Sequence, residues 1–176
     1  MSETRVIILA AGKGTRMKSA LPKVLHPVGG KPVLSYVLDV VRSLKTYVVV
    51  GHGASAVKKT IGDGVEYVIQ DQLLGTGDAV KRVAPYLKHF SGNVLVLCGD
   101  TPLLQRSTVS TLLARHKQSK AAATVLSAVI KDPYGYGRII RDNQGNLCGI
   151  REQKDASAEE NEIKEINVGM YCFAVR

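Results

Sequence analysis

The residues best suited to chemistry lie in two stretches, each directly behind a short apolar run. The first is Leu9-Ala-Ala-Gly-Lys-Gly-Thr-Arg-Met17, with Pro22-Lys23 shortly after it; the second is Cys98-Gly-Asp100. A glycine-rich turn after a buried strand lets backbone N–H groups close around phosphate oxygens, because no Cβ blocks the approach. Lys13, Arg16 and Lys23 place three cations within eleven residues. Such a set can hold a triphosphate and balance the charge on pentacoordinate phosphorus. Asp100 follows a strand-like apolar run, where a carboxylate facing phosphates suits Mg²⁺, an ion that prefers oxygen donors and shares them with phosphate. The bland readings stay open here: a tight turn with solvated basic residues, and an Asp that caps the turn into Thr101-Pro102.

Several function classes are excluded by spacing and composition. No Gly-x-x-x-x-Gly-Lys-Ser/Thr occurs, so the stretch is not a P-loop. The dinucleotide fingerprint requires a third glycine, but Gly12-Lys-Gly14 runs on into Thr15-Arg16-Met17. The three cysteines, Cys98, Cys148 and Cys172, are odd in number and widely spaced, which suits neither a disulfide framework nor a zinc site. The net charge of +9 points to polyanionic company. The basic residues form no dense block, so the charge leans to phosphates over nucleic acid, with a plain solvated basic surface as the open alternative. No apolar run is long enough to span a bilayer and the start lacks a signal-peptide layout, so the expected address is cytoplasmic.

These residues need a scaffold, and the pattern of apolar residues supplies one. Arg5-Val-Ile-Ile-Leu9 is a continuous apolar run of the kind buried on both faces of a sheet. Val33 to Leu44 repeats apolar residues at helical spacing behind Pro32. Strands follow over Tyr47–Val50, Val65–Ile69 and Asn93–Leu97, with a helix over Thr76–Leu87 that Pro85 interrupts. This alternation argues for βαβ units, a mostly parallel sheet, and ligands beyond the carboxyl ends of its strands. The second half reads as strands over Thr124–Ile130, Arg138–Arg141, Leu147–Arg151 and Val168–Val175, with a polar loop or short helix over Asp155–Glu165. On residue types alone, Arg138 and Glu152 are cross-strand charges on exposed sheet faces.

The nonapeptide Leu9–Met17 with its following Pro-Lys resembles the signature of sugar-phosphate nucleotidyltransferases. Within them it is most similar to the N-acetylglucosamine-1-phosphate uridylyltransferase domains of bifunctional bacterial enzymes. Further stretches match in order: Gly51-His-Gly53, Gln70-Asp-Gln-Leu-Leu-Gly-Thr-Gly77, Cys98-Gly-Asp-Thr-Pro102, Gly135-Tyr-Gly-Arg138, Glu152-Gln-Lys-Asp-Ala156 and Glu165-Ile-Asn-Val-Gly169. Together they cover nearly the whole chain, and the ordered set is far more specific than any one piece.

The resemblance implies an α/β three-layer, Rossmann-like domain over residues 1–176 with a β-rich sugar-binding extension, incomplete at its C-terminal end. It implies Mg²⁺-dependent transfer of a uridylyl group from UTP to N-acetylglucosamine 1-phosphate. Leu9, Ala10, Ala11 and Gly12 would line the nucleotide, with Cys98, Gly99 and Asp100 beside it and Arg16 and Lys23 on its phosphates as the catalytic pair. Gln70, Gly75 and Thr76 would read the uracil, Gly137, Glu152 and Asn167 the sugar, and Asp100 would hold the metal. The resemblance implies no nucleic-acid or membrane partner, and a longer parent that forms a homo-oligomer through a further domain. Leu73, Asp78 and Val168 depart from the family's common Gln, His and Thr, which bears on fine specificity. Transfer to another sugar or polyol phosphate, and a non-catalytic nucleotide-binding module, remain the rival readings.

Overall fold

The computed structural model describes residues 3–176, apart from the side chain of Arg16. The chain divides into two compact units, residues 1–124 with 171–176, and residues 125–170.

The first unit is built on β1 (Thr4–Ala10), which runs into a single 3-10 turn at Thr15–Met17. A second such turn at Lys23–Leu25 precedes a small hairpin, β2 (Pro27–Val28) and β3 (Lys31–Pro32), and then α1 (Val33–Val41). There follow β4 (Lys45–Val50), α2 (Ala54–Ile61), β5 (Glu66–Ile69), α3 (Thr76–Lys81), β6 (Gly92–Cys98) and α4 (Arg106–Ser119). The strands lie side by side as β5, β4, β1 and β6, all parallel. Tyr171–Val175 of β10 (Glu165–Val175) pairs antiparallel with β6.

Period-two alternation sends the side chains of each strand to both faces, and in β1, β4 and β6 both faces are buried. Ile7, Tyr47, Val49, Val94 and Val96 share one core with Ala79 and Val83 and with Phe90. Their neighbours Val6, Ile8, Val48, Leu95 and Leu97 are fully buried as well, and α1 and α4 are in contact with each other. The register places Ala10 opposite Val50, Val50 opposite Ile69, and Leu9 opposite Cys98. The carboxyl ends of all four parallel strands therefore form one edge; Leu9 to Gly12, Gln70 and Cys98 to Asp100 lie at or next to it, while Gly75, Thr76 and Lys23 come from farther along the following segments.

The helix read over Val33–Leu44 ends at Val41, and the helix read over Thr76–Leu87 stops at Lys81. A 3-10 turn at Ala84–Leu87 carries Pro85, which has no N–H to continue the α-helical ladder. Helices α2 and α4 escaped the apolar pattern because they bury little: Val57 in the first, Val109, Leu112 and His116 in the second.

The second unit holds β8 (Arg138–Arg141) and β9 (Leu147–Arg151) as an antiparallel pair, with Asp142-Asn-Gln-Gly145 in the turn between them. Most of β7 (Ala123–Val129), the short α5 (Ala158–Asn161) and the first part of β10 complete it. The capping box on α5 is complete: Glu160 N donates to Ser157 Oγ and Ser157 N donates to the Glu160 carboxylate.

Arg138 corrects the exposed cross-strand reading, being only 2% exposed. Its guanidinium donates to the carbonyls of Pro133, Tyr136 and Asn161. Residues 133–137 close over the side chain and tie it to the end of α5.

Glu165 accepts from both Arg141 Nη2 and Nε at 2.7 Å and from Ser127 Oγ at 2.6 Å. The Arg141 hydrogen bond, aided by Ser127, pulls the carboxyl down from its ordinary 4.5 to about 2. A depressed folded-state value adds stability above the unfolded pKa, and that stability is lost as pH falls from about 4.5 towards 2. Arg141→Met is therefore expected to unfold at lower urea than the native chain at pH 7, with the two midpoints converging as pH approaches 2. A constant gap at every pH would show that the Arg141–Glu165 pair carries none of it.

Candidate functional site

Within the first unit the strand ends surround a cavity of about 300 Å³. Leu9, Ala10, Ala11 and Gly12 line it from the end of β1, and Cys98 and Asp100 from the end of β6. Gln70, Leu73 and Gly75 close it from the segment between β5 and α3, Thr76 and Ala79 from α3 itself, and Lys23 and Val24 from the second 3-10 turn. Leu9 to Gly12, Lys23, Gln70, Gly75, Thr76, Cys98 and Asp100 are thus brought together at a single place. Gly99 is in the same turn but does not line the cavity; its N–H donates to the Leu9 carbonyl at 2.9 Å and clamps β6 to β1. The side chain of Arg16 lies outside the described residues.

Lys23 reaches the wall because of what holds its turn. Val24 and Leu25 are both 5% exposed and root the turn in the core. Two glycines in left-handed conformations pack against it. A Cβ at Gly14 (φ 61°) would stand 2.7 Å from Lys23 Cβ, and one at Gly53 (φ 71°) would overlap the Pro22 ring. Only glycine combines that backbone with that proximity. Gly14 and Gly53 are far apart in sequence and both serve the placement of one lysine.

Lys23 Nζ donates to Asp100 Oδ2 at 2.5 Å. The side chains are 39% and 33% exposed, so solvent screens the pair and its net contribution is about 1 kcal/mol at most. Thr101 Oγ1 donates to the Cys98 carbonyl at 2.9 Å and shapes the turn that presents Asp100. The Cys98 thiol lines the same cavity, close enough to feel both charges. Burial, reinforced by the Asp100 charge and opposed by Lys23, pushes it up to about 11. At neutral pH it is a protonated thiol, not a nucleophile.

On the opposite wall Gln70 is 3% exposed, and its Nε2 donates to the Gly75 carbonyl and to the Asp78 carboxylate. Gly75 has φ 100° at the start of α3 and turns the chain so that its carbonyl meets that amide. Val24, Leu73 and Ala79 supply apolar wall that no site residue read from the sequence accounted for. Ala79 was detectable as a residue one turn into the helix after Thr76; Val24 carried no signal beyond adjacency to Lys23.

The residues implied for a sugar are grouped in the second unit. The Gly137 carbonyl accepts from Asn167 N–H at 2.8 Å. A Cβ on Gly137 would stand 3.2 Å from Glu152 Oε1, so the backbone there lies directly against the carboxylate. Asn167 Oδ1 accepts from Gly169 N–H at 3.0 Å.

Among the described residues no three His, Cys, Asp or Glu side chains gather as a metal-binding group, and no helix is long and apolar enough to cross a membrane. The described cavity wall carries one carboxylate, Asp100. That donor set fits a hard divalent ion which takes its remaining ligands from phosphates and water, and does not fit an ion caged by protein.

Residues 6–158 match the family model of the MobA-like NTP transferase domain. The chain is 53% identical to the bifunctional protein GlmU of Shouchella clausii, over 98% of this chain and 39% of that protein. It is 51% identical to the GlmU of Bacillus subtilis over the same shares, and 50% identical to that of Brevibacillus brevis over 98% of this chain and 38% of the relative. The chain thus spans about two fifths of the length of these relatives. Among solved structures, a Bacillus anthracis protein described as a glucose-1-phosphate thymidylyltransferase, crystallised with sucrose, superposes with a TM-score of 0.75. It covers 97% of this chain and 71% of its own at 23% identity, a likeness of fold.

Proposed function

The chain belongs to the family of MobA-like NTP transferase domains, and from that premise we propose that it transfers a uridylyl group from UTP to N-acetylglucosamine 1-phosphate, releasing pyrophosphate. The observation that carries this reading is the cavity itself: a glycine-rich strand end, a lysine and a carboxylate face a buried amide across about 300 Å³. The amide and the charged pair suit the two ends of a nucleoside triphosphate.

In this reading the base lies against Gln70, Gly75 and Thr76, and the phosphates against Gly12, Lys23 and Arg16. A phosphate oxygen of the sugar phosphate attacks the α-phosphorus in line and pyrophosphate leaves. The attacking phosphate is already ionised, so no protein nucleophile is needed, in keeping with a protonated Cys98. Lys23 leaves Asp100 for the phosphates and offsets the charge that grows on the α-phosphorus oxygens and the leaving group. Asp100 would hold Mg²⁺, which when bound neutralises phosphate charge and polarises the phosphoryl oxygens. Gly137, Glu152 and Asn167 would take the acetamido sugar: a carboxylate for hydroxyls, an amide for the acetamido group, and a position without a side chain where backbone and ligand meet.

The reading is tested by pyrophosphate release with Mg²⁺ across paired substrates. UTP with N-acetylglucosamine 1-phosphate is expected to be the fastest pair. A faster reaction with TTP and glucose 1-phosphate would replace this assignment with the rival transferase.

A further inference from the structure

The wall of the cavity holds a side-chain amide whose orientation is decided by its neighbours. Gln70 Nε2 donates to the Gly75 carbonyl at 3.2 Å and to Asp78 Oδ2 at 2.8 Å. A carbonyl and a carboxylate can only accept, so both contacts require the NH₂ end of the amide. A flipped amide would press its oxygen against two acceptors, one of them charged, in a site where Gln70 is 3% exposed. Asp78 is in turn fixed on α3, with Arg82 Nε 3.5 Å from its Oδ1, one helical turn along. Gln70 Oε1 has no hydrogen-bond partner among the described residues, and Gln70 lines the cavity. The one free polar atom of this side chain is therefore an acceptor.

We propose that Asp78 is a specificity-determining positioning residue: by anchoring the Gln70 NH₂ group it presents Oε1 to the ligand and selects a pyrimidine whose ring nitrogen bears a hydrogen. Uracil and thymine meet that acceptor with an imide N–H. Cytosine meets it with a ring nitrogen that itself accepts, leaving two lone pairs facing each other in a buried place. The selection lies in Asp78 as much as in Gln70, because without that charged acceptor only the longer contact to the Gly75 carbonyl, 3.2 Å, opposes a flip of the amide. Asparagine at 78 offers an NH₂ group that can donate to Gln70 Oε1 and so permits the flipped amide. This inference rests on the reading of the cavity as a nucleotide pocket.

The test is equilibrium binding of UTP and CTP, without a second substrate, to the native chain, to Asp78→Asn and to Asp78→Ala, with thermal unfolding confirming the fold of each. The native chain is expected to favour UTP by about tenfold or more, the order expected for one mismatched buried hydrogen bond. In Asp78→Asn the ratio should fall to about threefold or less, chiefly through tighter CTP binding; in Asp78→Ala it should fall in the same direction. Should one variant fail to fold, the other is read by the same criterion. A gain in CTP affinity is a result that general loosening of the site does not produce. An unchanged ratio, or equal weakening of both nucleotides, overturns the role of Asp78 while leaving the nucleotide pocket standing. Failure of the native chain to bind either nucleotide overturns the pocket, and the inference with it.

Discussion

Lys23→Ala is expected to slow uridylyl transfer by about 10²–10³-fold while changing the Michaelis constant for UTP less than about tenfold. Lys23 Nζ is 2.5 Å from Asp100 Oδ2. With both side chains partly exposed, the pair is worth little in the resting protein, so its partner is readily exchanged for a triphosphate. In the proposed ground-state complex the phosphate charge would also be met by backbone N–H groups around Gly12 and by solvent. Charge added at the α-phosphorus and leaving group is what a positioned ammonium serves best, and the turn around Lys23 is over-determined by Gly14, Gly53, Val24 and Leu25. Truncation therefore removes an interaction that is stronger in the transition state than in the bound substrate. Steady-state kinetics with pyrophosphate detection separates the two parameters, and a defect confined to the Michaelis constant would remove Lys23 from the chemistry.

Asp100→Asn is expected to act in opposite directions on binding and turnover. In the presence of a chelator the variant should bind UTP several-fold more tightly than the native chain, because a carboxylate facing phosphates repels them and also competes for Lys23. In the presence of Mg²⁺ its turnover should fall by about 100-fold or more, since the one carboxylate on the described cavity wall is lost. Calorimetric titration with and without chelator, paired with the release assay, reads both effects. Weaker metal-free binding in the variant would show that Asp100 supports the phosphates through some other contact. Equal turnover would show that the ion is held without it.

Much of the first unit was legible along the chain. A run such as Val-Ile-Ile-Leu can be buried on both sides only in a covered sheet, and Ala11-Gly12 marks where it ends. The four parallel strands were recognised to within two residues of their bounds. Helices α2 and α4 were not, because a helix that buries one to three side chains has no continuous apolar stripe for a period to reveal. Arg138 misled in the opposite sense. In Arg-Ile-Ile-Arg the charge looks as though it belongs on an open face, yet the carbonyls of Pro133, Tyr136 and Asn161 gather round it. No spacing along the chain announces that three backbone oxygens will converge on one guanidinium.

For the candidate site the division follows the same physics. Residue types and local order determined by themselves which groups are available: a glycine turn, three nearby cations, a carboxylate behind a strand, and an amide before a helix. Those properties depend on neighbours in sequence, where backbone freedom and apolar periodicity act. Tertiary structure alone decided which of them meet. Lys23 and Asp100 are 77 positions apart, and they face each other because β1 pairs with β6 in the register that sets Leu9 opposite Cys98. Gln70 acquired its orientation only when α3 brought Asp78 within 2.8 Å. Gly53 became essential to Lys23 only through the Pro22 ring seated against it. Register and packing are decisions of the whole core, since shifting a strand by one residue moves every side chain to the other face of the sheet, where different partners are packed.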